Sequence, residues 1–209
     1  THVDYIAAGA EVIITNTFAA GPWVLESAGL GDQMESITRS AVEVARQARD
    51  EAAQAPVAIA GSMCPWVGMD EEVDTGPVAE GFRRQANLLA EAGVDLIALE
   101  MCSHPVYSRL ITEAAVATGL PVWLGMSCQR DGETGNLVGF DLPHLDFEQT
   151  LRGLVDTGVG AINIMHTSID DTAPGLALVK EHWSGPIGVY PESGHFVMPN
   201  WQFVDIIEP

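Results

Sequence analysis

A (β/α)8 barrel, an α/β fold of parallel strands, is predicted by three features of the 209-residue sequence. One module, a helix end followed by a Gly and an apolar run, occurs three times: Tyr5 to Ile13 around Gly9, Leu88 to Ile97 around Gly93, and Leu154 to Ile162 around Gly158. The Gly suits the left-handed position that closes a helix, and the residues after it begin an extended segment. Six apolar runs of strand length alternate with helical patterns, with no hairpin signal between them, and such alternation gives a parallel sheet. The runs are nearly continuous in apolar character, as strands covered on both faces are. Six units point to an eight-stranded TIM barrel lacking its first and last strands here, so residues 1–209 read as a single barrel domain incomplete at both ends. Six strands cannot close a barrel, so this stretch alone is expected to fold poorly. An open doubly wound sheet is the alternative, but no Gly-rich phosphate fingerprint follows any strand.

The elements follow in order. Glu11 to Asn16 is a strand, and Thr15-Asn16-Thr17-Phe18 is its polar mouth. Gly21 to Gly31, rich in Gly and containing Pro22, reads as a loop. Asp32 to Ala53 is a helix, with Met34, Ile37, Ala41, Val44, Ala45 and Ala48 at the 3.6 period. Pro56 to Gly61 is a strand, Ser62 to Trp66 its mouth, and Val67 to Gly76 an acidic loop. A helix over Pro77 to Glu91 leads into the strand Val94 to Leu99, which ends on Glu100. His104 to Thr118 is helical, and Pro121 to Met126 is a strand ending at Ser127-Cys128. Gln129 to Pro143 reads as a loop and Leu145 to Asp156 as a helix. Val159 to Met165 is a strand ending at His166, Asp170 to His182 a helix, and Pro186 to Tyr190 a strand ending at Pro191-Glu192-Ser193-Gly194.

Composition narrows the function. Formal charge is −20 from 29 acidic and 9 basic residues, and Lys180 is the single lysine. That field repels nucleic acid and anionic membrane, whose binding depends on clustered Lys and Arg. The acidity reads first as a solvated surface, with a patch for a cationic ligand as the alternative. There is no apolar run of roughly 18 residues to span a membrane and no charged-then-apolar leader. Cys64, Cys102 and Cys128 are an odd, sparse set without CxxC spacing, which argues against a disulfide scaffold and for a reducing, cytoplasmic compartment.

In a barrel all strand mouths face one another on one side. Asn16, Thr17, Ser62, Cys64, Glu100, Cys102, Ser127, Cys128, His166, Glu192 and Ser193 then form one polar pocket. A carboxylate with hydroxyls and an amide suits an amino acid, whose ammonium needs an acid and whose carboxylate needs N–H and O–H donors. Glu100 is either the substrate carboxylate or the partner of an Arg. His166 is a metal ligand, a base or a hydrogen-bonded structural residue. The cysteines read as small buried hydrophobes, and as metal ligands only in the alternative. Trp23, Trp66 and Trp123 read as packing residues, one of which could line a pocket for a methyl-bearing cation.

Taken together, Asp4 to Phe18, Ala60-Gly61-Ser62, Glu91 to Glu100 and Val189-Tyr190-Pro191-Glu192-Ser193-Gly194 resemble the homocysteine S-methyltransferase family, which includes betaine-homocysteine methyltransferase and the homocysteine module of methionine synthase. The resemblance runs over the whole chain. It implies a (β/α)8 barrel, a place in methionine biosynthesis, and a zinc ion at the mouth. Zinc would activate the homocysteine thiol as a thiolate that takes a methyl group from a sulfonium, betaine or folate-derived donor. It implies that Glu100 holds the homocysteine amino group; from the strand-mouth list, Asn16, Thr17, Ser62, Ser127 and Ser193 are the further expected substrate-binding residues. It also aligns His166 with the Cys of a Gly-Val-Asn-Cys-Thr type motif, which makes His166 the candidate zinc ligand, its other ligands being expected beyond Pro209 in a Gly-Gly-Cys-Cys segment. Glu192 stands where the family usually has Asn. The partners implied are a thiol amino acid and a methyl donor; neither the donor nor a homo-oligomer is fixed by the sequence. A barrel of this fold without zinc chemistry, lyase-like or amino-acid-binding, is the competing expectation.

Overall fold

The computed structural model describes residues 1–67, 74–192, 194–197 and 202–206, the last two spans as backbone only. Each of the three repeated modules closes as its Gly requires. Helix α1 (His2–Ala7) passes through Gly9 at φ +99° into β1 (Val12–Ile14). Gly93 at φ +86° and Gly158 at φ +91° precede the corresponding strands later in the chain. These are conformations that only Gly adopts without strain.

After β1 come α2 (Pro22–Ser27), a 3-10 turn (Gly31–Gln33) and α3 (Met34–Ala52), then β2 (Ala58–Met63). Helix α4 (Thr75–Ala92) starts on Asp74, whose side chain accepts from Gly76 N at 3.0 Å, and feeds β3 (Leu96–Cys102). Helix α5 (Pro105–Val116) starts on His104, whose Nδ1 accepts from Val106 N at 3.2 Å, and leads to β4 (Val122–Met126). An excursion of three short strands follows, β5 (Cys128–Arg130), β6 (Leu137–Gly139) and β7 (Leu142–Asp146). The chain then runs through α6 (Phe147–Arg152), β8 (Ala161–Ser168), α7 (Ile169–His182), β9 (Ile187–Glu192), β10 (Gly194–Val197) and β11 (Gln202–Ile206).

The sheet order is β1-β2-β3-β4-β8-β9, with every pairing parallel. This is the predicted six-unit α/β architecture, a curled half-barrel. Its two faces are distinct because alternate residues of a strand point to opposite sides. Ile59, Ile97, Leu99, Leu124, Ile162 and Ile164 join the helix-side core with Phe82, Leu89 and Ile111. Ala60, Leu96 and Ala98, with Trp123 packed on them, form a separate cluster on the inner face. Ser62 and Glu100 continue that inner face toward the strand C-termini. Trp23 packs on Phe82 with ring centroids 5.8 Å apart, and Phe82 is fully buried. Among the described residues no helix is long and apolar enough to cross a membrane.

Three expectations are corrected. The stretch Gly21 to Gly31 contains α2, which uses Pro22 in its first turn, where the missing N–H costs nothing. The loop Gln129 to Pro143 is a three-stranded antiparallel sheet, β5-β6-β7, so a hairpin does stand between parallel strands. Its strands are too short to show alternation, and its turn is held by Asp131 Oδ1, which accepts from Thr134 N at 2.7 Å. On α3 the buried stripe is Met34, Thr38, Val42, Ala45 and Ala48, while Val44 is 56% exposed.

Candidate active site

The mouth is built by two strand ends that leave regular geometry. In β3 the register with β4 shifts between Leu99 and Cys102, and Met101 takes φ +58°. In β8 the register with β9 shifts between Met165 and Ser168, and His166 takes φ +44°. Bulges of this kind re-aim side chains, and positive φ at a non-Gly residue is a strain that surrounding contacts must hold. Here Met101 N donates to Met165 Sδ at 3.2 Å, so the two bulges are tied to each other.

Glu100 lies just before the first bulge, 9% exposed, and is the centre of a hydrogen-bonded chain. Ser62 Oγ donates to its carboxylate, and the Tyr190 hydroxyl approaches it from β9. Thr17 Oγ1 donates to Ser62 O at 2.7 Å and pairs with Thr15 Oγ1 at 2.7 Å; Ser62 N donates to Thr15 Oγ1 at 3.2 Å. Burial pushes the Glu100 carboxyl above the usual carboxylate range, and the hydroxyls of Ser62 and Tyr190 pull it back. The Tyr190 phenol is raised by burial and by the Glu100 charge, so it stays a donor.

Next to Glu100 a pocket of ≈290 Å³ is lined by Phe18, Trp66, Met101, Met165 and His166. Aromatic faces and thioethers dominate it, and Trp66 is 43% exposed at its edge. The excursion β5-β6-β7 closes over this side: Phe140 meets the His166 ring at 4.5 Å between centroids. His166 Nδ1 is paired with the Glu192 carboxylate, and burial lowers the proton affinity of the ring. A larger cavity of ≈630 Å³ lies at the opposite end of the sheet, between Glu11, Arg49 and Asp95. The strand N-termini of a barrel are its stability face, so the smaller mouth pocket is the functional candidate.

Of the expected binding residues, the structure gathers Glu100, Ser62 and Thr17 into one network. Thr17 and Ser62 are buried with their hydroxyls already engaged, so they hold Glu100 and its surroundings in place. Asn16 is exposed and stands outside that network. Ser127 is buried and its Oγ donates to Met165 Sδ at 3.2 Å. Ser193 lies outside the described residues. Cys64, Cys102 and Cys128 are buried free thiols; burial pushes Cys64 and Cys128 up to about 12 and Cys102 higher still. They are small packing groups, as the simpler reading of the sequence has it. Of the tryptophans, Trp23 and Trp123 pack and Trp66 lines the pocket.

Sequence reasoning passed over Tyr190, Met101, Met165 and Phe140 as site residues. Tyr190 carried a signal, since it closes the last apolar run. Met101 and Met165 did not, because bulges arise from register between strands and not from either strand alone.

The profile of the homocysteine S-methyltransferase family matches residues 1–206. The chain is 25% identical to the selenocysteine methyltransferase of Astragalus bisulcatus, over 92% of this chain and 65% of that protein. It is 29% identical to homocysteine S-methyltransferase 2 of Zea mays, over 92% of this chain and 62% of that one. It is 30% identical to the homocysteine S-methyltransferase of Escherichia coli K12, over 92% and 66%. The chain thus spans 62–66% of the length of these curated relatives. The crystal structure of the homocysteine methyltransferase MmuM from Escherichia coli, in its metallated form, superposes with a TM-score of 0.75 at 25% identity, covering 92% of this chain and 70% of that one.

Proposed function

The chain belongs to the homocysteine S-methyltransferase family, and from that premise we propose that it forms the acceptor half of an S-methyltransferase acting on homocysteine or a closely related thiol amino acid. The observation that carries this reading is Glu100: a buried carboxylate at a parallel strand end, oriented by two hydroxyls, beside an apolar pocket. Among the described residues no cation pairs with Glu100, and a substrate ammonium supplies that partner; a charge-assisted bond in a desolvated site is strong and directional. With the amino group fixed there, the thiol of a short side chain reaches into the pocket of Phe18, Trp66, Met101, Met165 and His166. That lining keeps water off the sulfur, and the Trp66 face suits a methyl-bearing sulfonium or quaternary ammonium donor. Methyl transfer then forms the sulfur–carbon bond as the donor leaves with its electron pair, and the thiol proton is released.

Zinc, which the resemblance implies, would supply thiol deprotonation. The described residues do not form such a centre: among them no group of three His, Cys, Asp or Glu side chains could hold a metal ion, and the three cysteines are buried and free. His166, the expected ligand, has its Nδ1 engaged by Glu192, so the two departures from the family pattern are partners of each other. This same pairing favours a second reading, an amino-acid-binding barrel without methyl transfer. We retain the cytoplasmic assignment as a proposal, supported by the three free thiols.

Thermal shift of the full-length protein with homocysteine, methionine and an amine-free thiol separates these readings from a purely structural role. Stabilisation by homocysteine and not by the amine-free thiol supports the proposal; no stabilisation by any thiol amino acid overturns it. Product formation with a sulfonium donor then separates transferase from binding module.

A further inference from the structure

We infer that Tyr190 is the positioning residue of the Glu100 site: its phenol crosses the inner face of the sheet from β9 and fixes the carboxylate for an ammonium ligand. The inference rests on the reading of Glu100 as the ammonium site. Two strands, β4 and β8, lie between β9 and β3 in the sheet, and the Tyr190 hydroxyl lies over Gly125 on β4, so its approach to Glu100 is a chord across the curled inner face.

The sequence clears the path for that chord. At Gly125 on β4 a Cβ would lie 3.1 Å from the Tyr190 hydroxyl, 3.0 Å from Met165 Cγ and 2.5 Å from Leu99 O. A side chain there would meet the phenol and the backbone before Glu100. Met165 is opposite Tyr190 in the β8–β9 register, and its sulfur is pinned by Met101 N at 3.2 Å and Ser127 Oγ at 3.2 Å. The phenol therefore rests on a fixed floor.

Ser62 approaches Glu100 from β2 and Tyr190 from the far side. A carboxylate offers about four acceptor positions, so two hydroxyls leave room for an ammonium while restricting where it can sit. Among the described residues the other titratable groups around Glu100 are Cys64 and Cys102, and neither carries charge near neutrality because burial raises both thiols. His166 and Glu192, on the adjoining pocket wall, form a pair of their own. The two hydroxyls are thus what opposes the effect of burial on Glu100 and favours its carboxylate form.

The test uses the full chain, with homocysteine and its deamino analogue 4-mercaptobutanoate as probes, titrated across pH. Tyr190→Phe removes the hydroxyl and keeps the ring. Homocysteine affinity at neutral pH is expected to fall roughly ten-fold, the acid midpoint of binding to move upward by about half a unit or more, and 4-mercaptobutanoate to bind as before. Site-specific 3-fluorotyrosine at position 190 keeps the shape and makes the hydroxyl a better donor, so the midpoint is expected to move downward. A structural role alone would change thermal stability and leave both midpoints at the wild-type value; that result overturns the inference. If the wild-type protein does not distinguish homocysteine from 4-mercaptobutanoate, the reading of Glu100 itself fails, a different outcome from an unmoved midpoint.

Discussion

Replacing Glu100 by Gln keeps the shape of the side chain and removes its charge. Glu100 is 9% exposed, so its bond to an ammonium is little screened by water, and losing a charge-assisted hydrogen bond costs about 1.5–3 kcal/mol. That is a ten- to hundred-fold loss of homocysteine affinity. Folding responds in the opposite sense. The folded-state pKa of Glu100 is raised, so its stabilising contribution is fully present below the unfolded value of 4.5 and is lost as pH rises through the folded value. Burial makes ionising Glu100 costly to the folded state, and Glu100→Gln removes that cost, so at neutral pH the variant melts at the same or a slightly higher temperature. Isothermal titration with homocysteine and a melting curve from acid to neutral pH test both halves. Unchanged affinity, or a variant that unfolds at neutral pH, refutes the reasoning.

Further outcomes follow from the same contacts. Gly125→Ala places a Cβ 2.5 Å from Leu99 O and 3.1 Å from the Tyr190 hydroxyl, and is expected to cost about 1–3 kcal/mol in denaturant melts while weakening homocysteine binding. Phe82→Ala, at a fully buried ring packed on Trp23, is expected to cost about 3–5 kcal/mol by urea unfolding. Burial lowers the His166 pKa from its ordinary 6.5; its contribution is therefore present above pH 6.5 and lost as pH falls through the folded value. His166→Gln should flatten that acid limb of the melting temperature, and an unchanged limb would show that another group controls it.

The architecture was legible because its signals are local. Gly9, Gly93 and Gly158 each follow a helix and precede an apolar run, and each takes positive φ. Burial on both faces wrote the central strands as continuous apolar segments; the outer strands β1 and β9 show the same apolar runs although Ile14, Val189 and Tyr190 are exposed, so number and parallel arrangement could be read. The buried position of Glu100 on β3 was legible as well, because the apolar run before it reads as a covered strand and Glu100 follows directly. What could not be read depends on pairing between distant segments. The bulges at Met101 and His166 exist only relative to β4 and β9, and the hydroxyl of Tyr190 reaches Glu100 only because the sheet curls and Gly125 leaves space. Thr17 and Ser62 were read as ligand contacts; their hydroxyls are spent inside the protein, a distinction that residue type cannot carry. His166 and Glu192 appeared as two separate departures from a pattern and turned out to face each other.

The central claim is that this chain presents a thiol amino acid, through its ammonium at Glu100, for methylation on sulfur. The most direct measurement is transfer of a deuterated methyl group from a labelled sulfonium donor, read by mass spectrometry, with the full-length protein and its Glu100→Gln variant. Labelled methionine formed from homocysteine, with the variant's rate at limiting homocysteine lower by ten-fold or more, roughly the loss of one charge-assisted bond, is the predicted result. Transfer that proceeds equally well in the variant, or no transfer to any thiol amino acid, would contradict it.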